Sequence, residues 1–276
     1  MIQKTAFEKI NECRRIVVKV GTTTLSYPNG KLNFQRIDKL AKILTELQKS
    51  GRKIILVSSG AIAVGSGKVG LTSKPVELPE KQALAAVGQA DLIKIYQKLF
   101  ESRNQFVAQV LLTRDIVTVA DRRTNASNTL EALMMMDVIP IINENDTVAV
   151  DEIVIGDNDT LSAHVACLIK ADLLILMSDI DGLFSADPRI DPDAIIIPMI
   201  TEITEKIERT ASGSGSGFGT GGMLTKISAA KLCSQEGITV SIINGTNPEI
   251  LNEIMAGKPI GTLFYWKTKH TEVKTE

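Results

Sequence analysis

Two lysines and a cluster of acids set the chemical question. Lys19 sits near the end of a β-branched run in VVKVGTTTL (17–25), two residues ahead of Gly21. A lysine at a strand end is a compact point charge, and glycine lets backbone N–H groups come close; together they suit a phosphate. The plain alternative is a solvated lysine beside a turn. Lys226 opens a helical period directly after SGSGSGFGTGG (212–222). Glycines ahead of a helix leave N–H donors and the positive dipole end free for an anion. A cation in a helix's first turn is unfavourable unless an anion is held there. A flexible linker is the competing reading, but this stretch leads straight into a helix and not into a second domain.

The acids lie between the two lysines. Residues 124–169 contain no Lys or Arg and carry Glu131, Asp137, Glu144, Asp146, Asp151, Glu152, Asp157 and Asp159. The whole chain has a formal net charge of −1, so this excess is local. Capping of the following helix by Asp157 or Asn158 accounts for one side chain of GDND (156–159), and NEND (143–146) adds more upstream. The surplus calls for a cation: a substrate ammonium, a metal, or Lys19 and Lys226. His164 and His270 stand apart from every cluster, and no Ser/His/Asp set, carboxylate pair or metal-ligand group has legible spacing, so no protein-bound metal is expected. Two phosphate-seeking lysines without a base point to phosphoryl transfer, which depends on positioning and charge neutralisation. A carboxylate acceptor, with a pKa of about 4, is already ionised at neutral pH and needs no base. An acyl phosphate is then the product, and the acidic patch is free to take a substrate ammonium.

Other nucleotide signatures fail. GFGTGG (217–222) and GSGKVG (65–70) both match GxGxxG. The first follows a helical segment and lacks an acidic residue where a ribose ligand belongs; the second is displaced from its strand. Gly67-Lys68 and Gly257-Lys258 are followed by Val and Pro, so there is no Walker A loop.

The elements that must position these groups are legible as apolar runs at 16–20, 53–58, 106–112, 138–142, 172–178 and 238–243, separated by helical periods at 33–50, 81–100, 124–136, 159–170 and 224–236. Asn33 reads as an N-cap and Gly51 as a stop. Near-continuous apolar strands alternating with helices predict a parallel sheet covered on both faces. Residues 147–156 read as a local hairpin. In such a sheet ligands gather beyond the strands' carboxyl ends, where Lys19 with GTTT, Ser58-Ser59-Gly60, NEND and Ser178-Asp179 all fall.

The chain of 276 residues, 44% hydrophobic and 23% charged, has ordinary globular composition. Its charge offers no basic field for nucleic acid or an anionic membrane. Cys13, Cys167 and Cys233 are widely spaced, as in a reducing compartment. The first twenty residues hold no signal-peptide core, and no apolar run reaches the ~18–20 residues of a bilayer span. A cytoplasmic protein is expected.

VVKVGTTTL, SSGAIAVG, LLTRDI, INENDTVAV, IGDNDTLSA, DGLFSADPR and GTGGMLTK occur in an order and spacing that resembles the glutamate 5-kinases of the amino acid kinase family, from residue 14 to residue 264. The resemblance implies a three-layer αβα sandwich with a mainly parallel central sheet over residues 1–265, then a polar tail (266–276). It implies ATP-dependent phosphorylation of the γ-carboxylate of L-glutamate, the first step of proline biosynthesis, with ATP and Mg²⁺ as cofactors. Lys19, Lys226 and Asp159 would be catalytic, with Asp159 orienting the lysines. Ser59, Asp146 and Asn158 would hold glutamate, Asp146 near its ammonium. Lys19, Gly21, Thr22, Gly60, Ser178, Asp179, Thr220, Gly221, Gly222, Met223, Leu224, Thr225 and Lys226 would bind ATP. Homo-oligomerisation, feedback by proline at the glutamate site and a glutamyl phosphate reductase as partner come with the same resemblance. SSG and SD replace the family's frequent TSG and TD, keeping the hydroxyl. The RNA-modification-like (PUA) domain of many members is expected to be absent. Acetylglutamate, aspartate, carbamate and UMP kinases are the rivals within the fold; a non-catalytic amino-acid-binding regulator and a nicotinamide-dependent dehydrogenase are the rivals outside it.

Overall fold

The computed structural model describes residues 6–27, 31–71, 73, 75–149, 158–212 and 222–266. Eight strands, β1 (Arg15–Val20), β2 (Lys53–Ser58), β3 (Val107–Leu112), β4 (Ile139–Glu144), β5 (Leu173–Ser178), β6 (Met199–Ile200), β7 (Thr239–Asn244) and β8 (Thr262–Phe264), form one sheet in the order β3-β4-β2-β1-β5-β7-β8-β6. Neighbours are parallel except β7 and β8. The helices are α1 (Thr22–Leu25), α2 (Phe34–Lys49), α3 (Ala61–Val69), α4 (Leu78–Glu101), α5 (Ala120–Met135), α6 (Asn158–Leu168), α7 (Glu205–Ser212), α8 (Met223–Gln235) and α9 (Ile250–Met255).

Strand alternation divides the core into two layers. Ile16, Val18 and Val20 of β1, Ile54 and Leu56 of β2, and Leu173, Ile175 and Met177 of β5 join one apolar cluster with α2, α4 and α9. Val17, Ile55, Val57, Leu174 and Leu176 join the other, with α5, α6 and α8. The period of two is the reason, and it decides where Lys19 goes: sharing the parity of Val17, it belongs to the face covered by α6 and α8. Chain order also reverses at β1, with β2 on one side and β5 on the other. Such a switch point opens a crevice beyond the strand ends.

All six long strands and all five long helices lie where the sequence pattern puts them, to within a few residues. Asn33 caps α2 by accepting from the Arg36 N–H at 3.0 Å, and Gly51 follows that helix with φ +89°. The pattern does not pick out β6 and β8, which are too short to show a period, nor α1, α9 and α3, the last with two glycines in AIAVGSGKV. The hairpin expected at 147–156 falls largely outside the described residues. Among the described residues no helix is long and apolar enough to cross a membrane.

The glycines of α3 have a packing reason. A Cβ on Gly65 would fall onto the carbonyl of Leu84, and one on Gly88 onto the carbonyl of Ala61. The backbones of α3 and α4 therefore touch, and the GxGxxG at 65–70 is a helix with a close-packed face ended by Gly70 at φ +78°. This seam ties the Ser59-Gly60 turn to α4. Gly88→Ala is expected to lower stability by about 2 kcal/mol or more, since the overlapping atom is backbone that no rotamer change relieves. Thermal unfolding reads this as a fall in Tm of roughly 5 °C; an unchanged Tm would mean the helices can part freely.

Candidate active site

Three buried charges form the centre. Asp159 Oδ1 lies 2.6 Å from Lys19 Nζ, and Asp159 Oδ2 lies 3.0 Å from Lys226 Nζ. Their relative exposures are 0% for Asp159, 6% for Lys19 and 3% for Lys226. Each position follows from local structure. Lys19 is one residue from the carboxyl end of β1, Asp159 is the second residue of α6, and Lys226 is the fourth of α8. The carboxylate suits a helix start, where the dipole favours it. Lys226 does not, and the structure supplies the anion its position calls for in Asp159. Burial alone would raise the Asp159 carboxyl; the two ammonium groups more than offset this and hold it well below the usual carboxylate range. One carboxylate thus engages two buried ammonium groups at once.

Thr225 completes the arrangement. Its hydroxyl is 2.8 Å from Asp159 Oδ2 and 2.7 Å from the Gly222 carbonyl, so its one proton serves either acceptor. The resemblance counts Thr225 among the ATP-binding residues; its hydroxyl meets Asp159 and the Gly222 carbonyl.

A second group sits on the β2 and β4 side. Asn158 Nδ2 donates to Ser59 Oγ at 2.8 Å and to Asn143 Oδ1 at 3.0 Å, and Asn143 Nδ2 donates to Gln89 Oε1 at 2.8 Å. Gln82 Nε2 donates to the Asp146 carbonyl at 3.0 Å. Gln82 and Gln89, seven apart on α4, thus hold the NEND loop and the Asn158 amide. Neither was singled out from sequence, although a seven-residue spacing places both on one helical face.

Asp146 is 5% exposed, and its Oδ1 has no hydrogen-bond partner among the described residues. Burial chiefly, with the nearby Glu144 adding to it and a backbone hydrogen bond opposing it, pushes its carboxyl up to about 7. A buried carboxylate lacking a donor costs free energy until a cation or donor arrives. The local excess of acid is thereby resolved in parts. Glu131 pairs with Arg15, Asp137 with Lys53 and Asp159 with the two lysines. Asp146 is left with a buried oxygen that has no hydrogen-bond partner among the described residues, while Asp151, Glu152 and Asp157 lie outside the described residues.

The remaining candidates frame the crevice. A Cβ on Gly21 would stand 3.8 Å from Lys19 Nζ, so the glycine keeps the approach to that ammonium open. Gly21 also begins α1, whose first residue, Thr22, is exposed. Gly60 has φ +107° and opens α3, a conformation that favours glycine. At the ends of β5 and β7, Ser178 Oγ donates to Asp179 Oδ1 at 3.1 Å, Gly245 N–H donates to the Ser178 carbonyl at 2.7 Å, and Asn244 Nδ2 donates to Asp181 Oδ1 at 2.7 Å. Gly222 caps α8; Met223 is packed in the core, and Leu224 is exposed. Thr220 and Gly221 lie outside the described residues. Among the described residues no three His, Cys, Asp or Glu side chains converge as a metal site.

Two buried lysines held by one carboxylate at the switch point of a mainly parallel sheet suit a phosphotransferase-type α/β fold, and the family model described as "Amino acid kinase family" matches residues 14–244. The chain belongs to the amino acid kinase family. It is 51% identical over 261 residues to a glutamate 5-kinase of Listeria monocytogenes, covering 93% of this chain and 95% of the relative. It is 52% identical over 257 residues to a glutamate 5-kinase of Clostridium tetani (93% and 96%). A third glutamate 5-kinase, from Caldanaerobacter subterraneus, is 53% identical over 250 residues that make up 91% of this chain and 67% of the relative. The crystal structure of a UMP kinase from Bacillus anthracis shares the fold, with a TM-score of 0.59 at 14% identity over 92% of this chain and 96% of that one.

The state of Asp146 has a measurable effect on stability. Its carboxyl is raised in the fold, against about 3.9 in an unfolded chain, so its contribution is fully present below about pH 4 and is lost as pH rises towards 7. Asp146→Asn, neutral throughout, is expected to match wild-type stability near pH 4 and to exceed it by a margin that widens up to about pH 7 and is flat above. Urea unfolding across that range is the check; a margin independent of pH would place the Asp146 titration elsewhere.

Proposed function

We infer that the chain is a glutamate 5-kinase, transferring the γ-phosphoryl group of ATP to the γ-carboxylate of L-glutamate at the entry to proline biosynthesis. The observation that carries the reading is the buried Lys19–Asp159–Lys226 constellation. An oxygen of the substrate carboxylate attacks the γ-phosphorus, the bond to the β-phosphate oxygen breaks, and ADP leaves. No proton moves, in keeping with the lack of a candidate base. Lys19 and Lys226 neutralise the phosphoryl oxygens while Asp159 and Thr225 hold the ammonium groups in place. Preorganised charge of this kind acts without reorganising during the reaction. Gly21, Thr22 and Gly60 offer backbone N–H groups to the phosphates. The ends of β5 and β7, with Ser178 and Asp179, and the start of α8 take the nucleotide.

On the acceptor side, Asp146 receives the glutamate ammonium, and Ser59 and Asn158 orient the rest. This argues against acetylglutamate and UMP as acceptors, because neither brings a free ammonium to Asp146. Magnesium belongs to this reading through the nucleotide, whose phosphate oxygens and water supply most of its shell; the described residues provide no cage for it. Feedback by proline in the same pocket, self-association and delivery of the acyl phosphate to a reductase are parts of the proposal.

Hydroxylamine traps an acyl phosphate as its hydroxamate. With ATP and magnesium, γ-glutamyl hydroxamate is expected from L-glutamate and none from N-acetylglutamate or aspartate; product from a competitor instead would keep the lysine roles and overturn the acceptor. Lys226→Ala is expected to lower kcat by about 10²-fold or more, as for loss of one preorganised stabilising group. The KM for glutamate is expected to rise about tenfold per pH unit below about pH 7 as Asp146 takes up a proton, and to be flat above. Asp146→Ala should raise KM and abolish that slope, leaving kcat close to wild type.

A further inference from the structure

Cys167 and Cys233 are 66 positions apart in the chain, yet the fold places them on two helices packed against each other, Cys233 within one apolar cluster and Cys167 against it. The reason lies in α6 and α8. Asp159 and Lys226 pin the two helix starts together. From there the helices run side by side along fully buried alanines, Ala163 and Ala166 on one and Ala229 and Ala230 on the other, all in a single apolar cluster. Cys167 lies eight residues beyond Asp159 and Cys233 seven beyond Lys226. At about 1.5 Å per residue both are roughly 10–12 Å from the charged centre, at nearly one height. Cys233 is fully buried in that cluster and Cys167 packs against it while keeping some exposure. The two thiols are therefore not equivalent. Interaction with Cys233 lowers the Cys167 thiol below its usual range, whereas the same interaction and burial raise Cys233. Cys13 is a natural control, pushed up to about 12 chiefly by burial, with Asp172 adding to the effect.

We propose that Cys167 and Cys233 are a peroxide-sensitive dithiol, and that closing it to a disulfide draws α6 and α8 together and misaligns Asp159 and Lys226. The Cys167 thiolate attacks one oxygen of hydrogen peroxide; the S–O bond forms, the O–O bond breaks, and the departing hydroxide takes up the proton that Cys167 gave up. The Cys233 sulfur then attacks the Cys167 sulfur, forming the S–S bond, and the second oxygen leaves as water with the Cys233 proton. Two thiols lose two electrons and two hydrogens, and peroxide becomes two waters. A disulfide needs its sulfurs about 2.05 Å apart, closer than any noncovalent sulfur contact, so closure must shift one helix against the other. The alanine seam gives that shift little room to be absorbed.

The test treats the reduced full chain with hydrogen peroxide, alkylates the remaining thiols, and maps the peptides by mass. A Cys167–Cys233 cross-linked peptide lacking two hydrogens is expected, with Cys13 still alkylatable. The activity arm rests on the phosphotransfer reading: kcat for hydroxamate formation is expected to fall about 10²-fold, the scale of a 1 Å misplacement, and to return on reduction. Cys233→Ala is expected to keep wild-type turnover when reduced and to retain it in peroxide. Cys167 over-oxidised with Cys233 still alkylatable would overturn the dithiol. A disulfide that leaves kcat intact, or equal peroxide loss in Cys233→Ala, would overturn its coupling to the site. Because the cross-link is read by mass alone, a reduced protein without activity counts against the phosphotransfer reading and not against the dithiol.

Discussion

Asp159 has no exposed surface and holds two ammonium groups within 3.0 Å. Removing three charges from water is costly, and their attraction recovers the cost only when the geometry is close and no partner is missing. Much of the fold follows from meeting that condition. A parallel strand has to deliver Lys19 to the correct face, two helices have to begin at the same point, and Thr225 has to fill the remaining acceptor site. In the proposed reaction the phosphoryl group passes beside both lysines, so their charge counts most as it is transferred, which is what transition-state complementarity requires.

The interior strands were legible because a strand buried on both faces leaves an unbroken apolar run, and β1, β2, β4, β5 and β7 are of this kind. β6 and β8 are a pair of short strands at one margin of the sheet, held by register with neighbours and not by their own pattern. The α3 segment was not picked out as a helix because its glycines are placed for contact with another helix, and no local rule reports a partner that far along the chain. At the site, Lys19 and Lys226 stood out because each broke a local expectation. Gln82 and Gln89 broke none: an amide on a helix surface is ordinary until the loop it grips is known.

The acid-rich segment shows how far composition can point. Its excess called for a cation: a substrate ammonium, a metal, or Lys19 and Lys226. The fold sends Glu131 and Asp137 to surface ion pairs, buries Asp159 between the two lysines, and leaves Asp146 with a buried oxygen that has no partner among the described residues. Charge density along the chain reports proximity in sequence. Only the strand and helix directions sort those charges onto different faces.

The contact between α3 and α4 sets the terms for any attempt to redesign the acceptor pocket. Because the two helices meet through bare backbone at Gly65 and Gly88, their spacing has no side chain that could be trimmed or enlarged, and Ser59-Gly60 keeps a fixed offset from the α4 glutamines. Accepting a longer or shorter acid by widening this wall is closed off. Adjustment is left to the side chains of the NEND loop that Gln82 and Gln89 grip.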